Sequence, residues 1–376
     1  MIRVLHVLGT TNLGGAESRI MELYRAMDRS AVQFDFLVHT DKEGQYDAEI
    51  KQLGGRIYNV PRFRIVNLAV YKKALKDFFG AHNDYAAVHG HMTSTASIYL
   101  PIAKKAGIPV TIAHARSAGV DKGIKGFATK MLRLRLKKRA DYCFTCSAEA
   151  GRAVFGKEWV DKGNVWTIPN AIDAARFVYD ETVRKQVREE LGLSNRFVIG
   201  HVGRFSFMKN HAYLIEIFAQ LCKMCDDAAL VLIGRGNLEK EMRNKVKSLG
   251  LADKVLFLGN RLDVERYYQA FDYFVFPSIF EGLPGSVVEA QATGLMCLVS
   301  DNVTKEVALT ERVIYKSIEE PASSWASEIM RNIKKALVRE DMSAVIRENH
   351  FDVRQQAAEM ERFYESGSNP PGTVTR

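Results

Sequence analysis

The chain of 376 residues contains no apolar run near the roughly 18–20 residues that a membrane span requires. Its start, Met1 to Gly9, reads as a short strand carrying His6 rather than a secretory leader, so the expected location is the cytoplasm. Five cysteines, an odd number without secretory context, do not suggest a disulfide framework. The spacings Cys143/Cys146 and Cys222/Cys225 bring a zinc site to mind, and their settings speak against it. The first pair lies in a strand-like Tyr-Cys-Phe-Thr-Cys, where positions three apart face opposite ways; the second closes an apolar-periodic helix. The fingerprint G-x-G-x-x-G is missing, which removes support for nicotinamide binding. No Asp-x-Asp pair follows a strand to hold Mg²⁺, and no aromatic-rich platform for single-stranded nucleic acid is present.

What is present is ample for packed cores: 47% of residues are hydrophobic and 26% charged. The length suggests two domains. The formal net charge of +9 is unevenly spread. Residues 1–170 hold 26 Lys and Arg against 15 Asp and Glu, a net of +11, whereas residues 171–376 hold 27 against 29, a net of −2. The first half is therefore expected to face something anionic.

Apolar, β-branched runs at Ile2–Leu8, Phe34–Val38, Ala86–His89, Val110–Ala113, Tyr142–Thr145 and Val165–Ile168 alternate with segments of helical periodicity. The pattern restarts after Pro169-Asn170, with strands predicted at Phe197–Val202, Ala229–Ile233, Val255–Leu258, Tyr273–Phe276, Met296–Ser300 and Val313–Tyr315. This alternation predicts an α/β protein of two Rossmann-like, doubly wound domains, 1–170 and 171–350, facing across a cleft. A helix over 351–366 has Val353, Ala357, Met360 and Tyr364 on one stripe and could cross back to the first domain; 367–376 reads as a disordered tail. In such sheets ligands bind beyond the carboxyl ends of the strands, so candidate chemistry is sought there.

After the first strand, Gly14-Gly15 opens a helix, a setting in which backbone amides can approach an anion. After the first strand of the second half comes Gly203-Arg204, with Lys209-Asn210 five residues on; a guanidinium and an ammonium across a short loop suit a diphosphate. Glu281-Gly282-Leu283-Pro284 follows another strand, and Glu289 lies eight residues beyond Glu281 inside an apolar helix. Paired carboxylates serve acid/base work or accept hydrogen bonds from sugar hydroxyls, and a carboxylate in such a helix needs a hydroxyl-bearing ligand or a basic neighbour. In the first half, His89-Gly90-His91 and His114-Ala115-Arg116 also follow strands.

Taken together and in order, these segments resemble the family 4 retaining glycosyltransferases, whose fold has two domains (GT-B) and whose bacterial members build exopolysaccharide, capsule and lipopolysaccharide. Glu281 through Glu289 looks like their E-x7-E motif, Gly14-Gly15-Ala16-Glu17 like their amino-terminal glycine loop, and Ile168-Pro169-Asn170-Ala171-Ile172-Asp173 like their inter-domain segment. Gly234-Arg235-Gly236 and Gly259-Asn260-Arg261 resemble loops around the nucleotide base. The resemblance implies a nucleotide-sugar donor, expected to be a UDP-sugar, bound through Gly14, Gly15, Arg204, Lys209, Arg261, Glu281, Gly282, Leu283, Pro284 and Glu289. Glu289 would accept from the ribose and Glu281 from the donor sugar, while Arg204 and Lys209 neutralise the departing diphosphate without a metal or other cofactor. His91 would meet the donor sugar; His114 and Arg116 would lie nearer a glycan or lipid-linked acceptor, although the second histidine segment departs from the Ala-His-Ser-His-Asn of related exopolysaccharide enzymes.

The segment Lys122–Arg139 places Ile124, Phe127, Met131 and Leu134 on one stripe beside eight Lys and Arg. It fits either a helix packed on its sheet or shallow docking on an anionic leaflet, which would make the protein peripheral at the inner face of the plasma membrane. Two other functions compete: a sugar-nucleotide 2-epimerase on a similar fold, and a non-enzymatic basic protein binding membrane or nucleic acid, which would leave Arg204, Lys209, Glu281 and Glu289 unexplained.

Overall fold

The computed structural model describes residues 1–116 and 123–375 and divides into two compact units: Met1–Ala171 with Asp352–Arg376, and Ile172–Phe351. The strands are β1 (Ile2–Leu8), β2 (Val32–Val38), β3 (Ile57–Asn59), β4 (Ala87–Gly90), β5 (Val110–Ala115), β6 (Tyr142–Thr145), β7 (Trp166–Thr167), β8 (Phe197–Val202), β9 (Ala228–Ile233), β10 (Val255–Gly259), β11 (Tyr273–Phe276), β12 (Met296–Ser300), β13 (Val313–Lys316) and β14 (Thr373–Val374).

In the first unit the strand order is β14-β7-β6-β5-β4-β1-β2-β3, parallel throughout except for β14 against β7. Strand β2 is buried along its whole length and covered on both faces, so its two polar side chains are paired, Asp35 with Arg3 and Gln33 with the Tyr24 hydroxyl. One face packs Ile20, Leu23 and Tyr24 of the helix Gly15–Ala26 together with Val353, Ala357, Met360 and Tyr364. The other packs Tyr71, Leu75 and Phe79 of the helix Leu68–Ala81, residues of Ala96–Lys105, and Leu136.

The carboxy-terminal helix, Val353–Ser366, thus belongs to the first unit. Its N-terminus is capped by Asp352, whose carboxylate accepts from the amides of Arg354 and Gln355. The expectation of a disordered tail at 367–376 is corrected: Thr373 and Val374 pair with Thr167 and Trp166, and the Thr375 amide donates to Val165 O at 2.7 Å. The short strand β7 leaves one edge open, and the β-branched tail residues satisfy its backbone groups.

In the second unit the order is β10-β9-β8-β11-β12-β13, all parallel. Its core joins Ile199, Leu230, Val275 and Leu298 of the sheet to Leu214 and Phe218 of the helix His211–Leu221 and to Trp325. In each unit the strand order reverses once, between β1 and β4 and between β8 and β11. Those switch points open the crevices at the carboxyl ends of the strands where ligands settle in doubly wound folds.

The basic segment differs from a single continuous helix. The helix runs Gly123–Arg133 and gives way to a short turn of tighter helix at Leu136–Lys138; Lys122 lies outside the described residues. Among the described residues, packing of the expected stripe on the sheet is not observed; the Ile124 side chain lies outside them. Phe127, Met131 and Leu134 are 68%, 52% and 64% exposed, while Leu132 and Leu136 turn to the core. Arg133 donates to Thr93 Oγ1 at 2.9 Å and Arg139 to Ser97 O, fixing the segment in this rotation. All five cysteines are free, and Cys143, Cys146 and Cys297 are buried. Among the described residues no helix is long and apolar enough to cross a membrane.

Candidate active site

At the second switch point, β8 ends in Val202 and the chain turns through Gly203-Arg204 to Lys209 before the helix His211–Leu221. This turn packs backbone against backbone. A Cβ on Gly234, whose φ is +137°, would stand 2.2 Å from Gly203 O, and one on Gly236 would stand 2.2 Å from Phe205 O. Only glycine allows such an approach, so Gly234-Arg235-Gly236 shapes the Arg204 loop from beneath. Arg204 is exposed, and the stem of Lys209 lies against Gly203.

Strand β11 leads into Pro277–Glu281, and the helix Gly285–Ala292 starts after Leu283 and Pro284, both buried. The two loops meet: Lys209 Nζ is 2.8 Å from Glu281 Oε1 and 4.4 Å from the ring centre of Phe276. Glu289 is buried, and its Oε2 accepts from the Tyr268 hydroxyl at 2.8 Å. The hydroxyl on Glu289 comes from the protein itself, where the sequence pointed to a ligand hydroxyl or a basic neighbour. Tyr268 escaped the sequence reading because its helix, Val264–Ala270, is far away along the chain; a tyrosine beside the Arg261 loop was the only signal. Arg261 is exposed with its guanidinium 5.2 Å from the centre of the Tyr267 ring, and no contact joins it to Lys209 or Glu281 among the described residues.

At the first switch point, Gly14 precedes the helix Gly15–Ala26, and a Cβ on Gly15 would meet nothing within 4 Å. Internal packing therefore gives no reason for a glycine at 15. Across from it, β1, β4 and β5 bring together a column of histidines. His6 Nδ1 is 3.0 Å from His91 Nε2, His89 Nε2 is 2.9 Å from His114 Nδ1, and His89 Nδ1 is 2.6 Å from the Tyr364 hydroxyl. Arg116 Nε donates to His91 Nδ1 at 3.4 Å, and its Nη1 donates to Asn170 at 2.9 Å. His91 and Arg116, singled out in the sequence, thus adjoin, whereas His114 is buried and bonded to His89.

Burial holds the column neutral. His6 is pushed down to about 3 by desolvation and then by the charge of Arg116; His89, His91 and His114 lie well below the usual imidazole range, chiefly from desolvation. Desolvation also lowers Arg116, to about 10. His6 was passed over and His89, though named beside His91, was given no role, because strand histidines read as core. They face each other directly in the β1–β4 register.

Nitrogens of His6, His89 and His91 come within 4.8 Å of one another, the spacing of a loose metal site. Their nitrogens, however, are already engaged: His6 Nδ1 faces His91 Nε2, His91 Nδ1 accepts from Arg116, and the two nitrogens of His89 face Tyr364 and His114, so no three lone pairs are left to converge on an ion. The adjoining Arg116 guanidinium further opposes a cation. The donor set suits a hydrogen-bonded column better than an ion.

Two family models cover most of the chain: Glycosyltransferase Family 4 over residues 13–176 and Glycosyl transferases group 1 over residues 183–351. A putative glycosyltransferase, EpsF of Bacillus subtilis (strain 168), is 36% identical over 335 residues, covering 88% of this chain and 87% of that one. The chain belongs to glycosyltransferase family 4. It is also 31% identical over 225 residues, 58% of either chain, to an Escherichia coli UDP-Gal:alpha-D-GlcNAc-diphosphoundecaprenol alpha-1,3-galactosyltransferase. The crystal structure of Anabaena Alr3699/HepE in complex with UDP-glucose shares the fold, with a TM-score of 0.77 at 19% identity, over 96% of this glycosyltransferase and 99% of that chain. The expected pair of α/β domains and the glycosyltransferase activity are thus established.

Proposed function

We propose that this glycosyltransferase moves a sugar from a UDP-sugar to a lipid-linked glycan, with retention and without a metal. The observation that carries the reading is the Lys209–Glu281 pair at the β8/β11 switch point, flanked by the exposed Arg204. A diphosphate placed there displaces Glu281 from Lys209 and meets two cations, which supply the positive charge that a divalent ion would otherwise provide. The freed Glu281 carboxylate accepts from hydroxyls of the donor sugar, and Glu289, held by Tyr268, accepts from the ribose. As the bond from the anomeric carbon to the diphosphate oxygen breaks, the acceptor hydroxyl attacks on the same face and its proton passes to the departing phosphate oxygen. Arg204 and Lys209 stabilise the charge left there. Two relatives by name support donor and acceptor: the Escherichia coli enzyme with a UDP-sugar and a diphosphoundecaprenol-linked acceptor, and HepE in complex with UDP-glucose.

An acceptor of this kind sits at a membrane, and the first unit has the surface for it. Phe127, Met131 and Leu134 are exposed among Lys130, Arg135 and Lys138. A second patch follows β3: Ile65, Val66, Leu68 and Val70 are 60%, 93%, 38% and 59% exposed, with Arg62, Arg64 and Lys72 exposed around them. Apolar side chains ringed by cations are what an anionic leaflet receives; the second patch opens the crossover helix Leu68–Ala81 that follows β3, and the first runs along the helix Gly123–Arg133 to the residue just beyond it. We assign the basic excess of this half to the cytoplasmic leaflet.

The test is a thermal-shift series with UDP, GDP, ADP and their sugars. Selective stabilisation by UDP and a UDP-sugar is expected; no shift with any nucleotide, or a shift with ADP or GDP only, overturns the donor assignment. Incubation with the UDP-sugar alone, followed by sugar analysis, separates transfer from 2-epimerisation.

A further inference from the structure

Nothing in the proposed roles uses His6, a fully buried histidine in the middle of β1. We propose that His6 is a positioning residue: together with Arg116 it holds the His91 imidazole in one tautomer and one orientation at the β1/β4 switch point.

The argument is one of donors and acceptors. A guanidinium has only donors, so the Arg116 Nε that faces His91 Nδ1 requires Nδ1 to be an acceptor. A neutral imidazole carries one proton, which then resides on Nε2 of His91. That N–H points at His6 Nδ1, 3.0 Å away, and His6 Nδ1 must accept it. The proton of His6 therefore sits on its Nε2, which is buried and finds no partner. An orphaned buried N–H is costly, and here it is the consequence of satisfying His91.

The orientation is held as well. His91 lies nearly coplanar with His6, 6° between the planes and 5.3 Å between ring centres, as an in-plane hydrogen bond requires, and stacks on His89 at 4.4 Å with 23°. His89 is in turn pinned by Tyr364 on one nitrogen and His114 on the other. Of the two bonds to His91, the Arg116 contact at 3.4 Å is the longer, and a sugar hydroxyl donating to Nδ1 can replace it. His6 thus makes His91 an acceptor towards the substrate. The alternative tautomer would present a donor.

This inference rests on the reading of His91 as the residue that meets the donor sugar, and the tests keep the two apart. In the full chain with ¹⁵N-labelled imidazoles, the His91 signals, identified by their loss in His91→Gln, are expected to show a protonated Nε2 and a bare Nδ1. A protonated Nδ1 overturns the inference whatever the kinetics. His6→Phe removes the acceptor and is expected to lower kcat about tenfold or more with little change in donor KM; His6→Asn, whose Oδ1 stands near the place of Nδ1, restores most of the loss. Equal activity of His6→Phe and the unaltered enzyme overturns it. In a His91→Ala background, His6→Phe should cost nothing further, and a full additional loss means that His6 acts by another route, against the proposal. If His91→Ala alone retains full turnover, the reading of His91 fails, and the tautomer measurement still decides what His6 does. Should His6→Phe fail to fold, His6→Asn and the spectra of the unaltered chain remain decisive.

Discussion

Lys209 and Glu281 form an ion pair, 2.8 Å between Nζ and Oε1, although they come from loops that follow different strands. Each blocks the other. The cation is held ready for a diphosphate while its charge is masked, and the carboxylate is held on the cation until a ligand takes its place. Glu281→Gln should therefore tighten binding of the free nucleoside diphosphate by roughly fivefold, the value of a partly exposed pair, while turnover falls by about 10²-fold or more. Calorimetry with UDP and initial rates with the sugar donor measure the two effects. Weaker UDP binding in this variant would show that the pair does not mask the cation.

Tyr268 donates to Glu289 at 2.8 Å from a fully buried position. Tyr268→Phe keeps the ring and removes this bond together with the hydroxyl's contact to Ser286 O at 3.1 Å. The expected result is a donor KM raised roughly tenfold, the size of a hydrogen bond to a charged group, with kcat within a factor of about two. A fall in kcat at constant KM would place Glu289 elsewhere in the reaction.

Acid should unfold this protein early, for a reason that can be signed. His6, His89, His91 and His114 in the first unit, and His201 and His211 in the second, are all pushed below the ordinary imidazole value, His201 to about 4 and His211 to about 2, chiefly by burial. Below pH ~6.5 the unfolded chain takes up protons that the folded chain refuses, so stability is complete above ~6.5 and falls as the pH drops towards the folded values. Each such group contributes a slope of about 1.4 kcal/mol per pH unit in that window. Melting temperatures between pH 8 and about pH 4.5 are expected to fall steeply below ~6.5; a flat profile would mean that the column takes up protons while folded.

The two exposed patches of the first unit should govern attachment to lipid. Val66→Glu together with Phe127→Glu is expected to cut sedimentation with phosphatidylglycerol-containing vesicles at least tenfold and leave the melting temperature within about 1 °C, since both side chains face solvent. Vesicles of phosphatidylcholine alone should retain little of either protein. Undiminished binding by the double variant would move the docking face elsewhere.

The alternation of apolar runs made the two parallel sheets legible, because strands covered on both faces are mostly apolar, their few polar side chains being paired inside. Lys209 and Glu281 were legible as separate members of post-strand loops; their pairing depends on the β8–β11 adjacency, which no local pattern encodes. The basic segment shows the opposite failure. Its periodicity marks Phe127, Met131 and Leu134 as one face but not which way that face turns, and the rotation is decided by Leu132, Leu136 and the anchors Arg133 and Arg139. His6 and His89 were invisible as a site for a similar reason: a histidine inside a strand carries no signal until its register partner is known.

The return of Val353–Ser366 to the first unit has a consequence for the making of the molecule. Vectorial synthesis delivers Met1–Ala171 first, but the face that carries Phe34, Tyr24 and Ile20 stays uncovered until Met360, Phe363 and Tyr364 emerge, after all of the second unit. The second unit can close around its own core while the first still waits. The half begun earliest is thus completed last, and His89 gains its Tyr364 partner only in that final act.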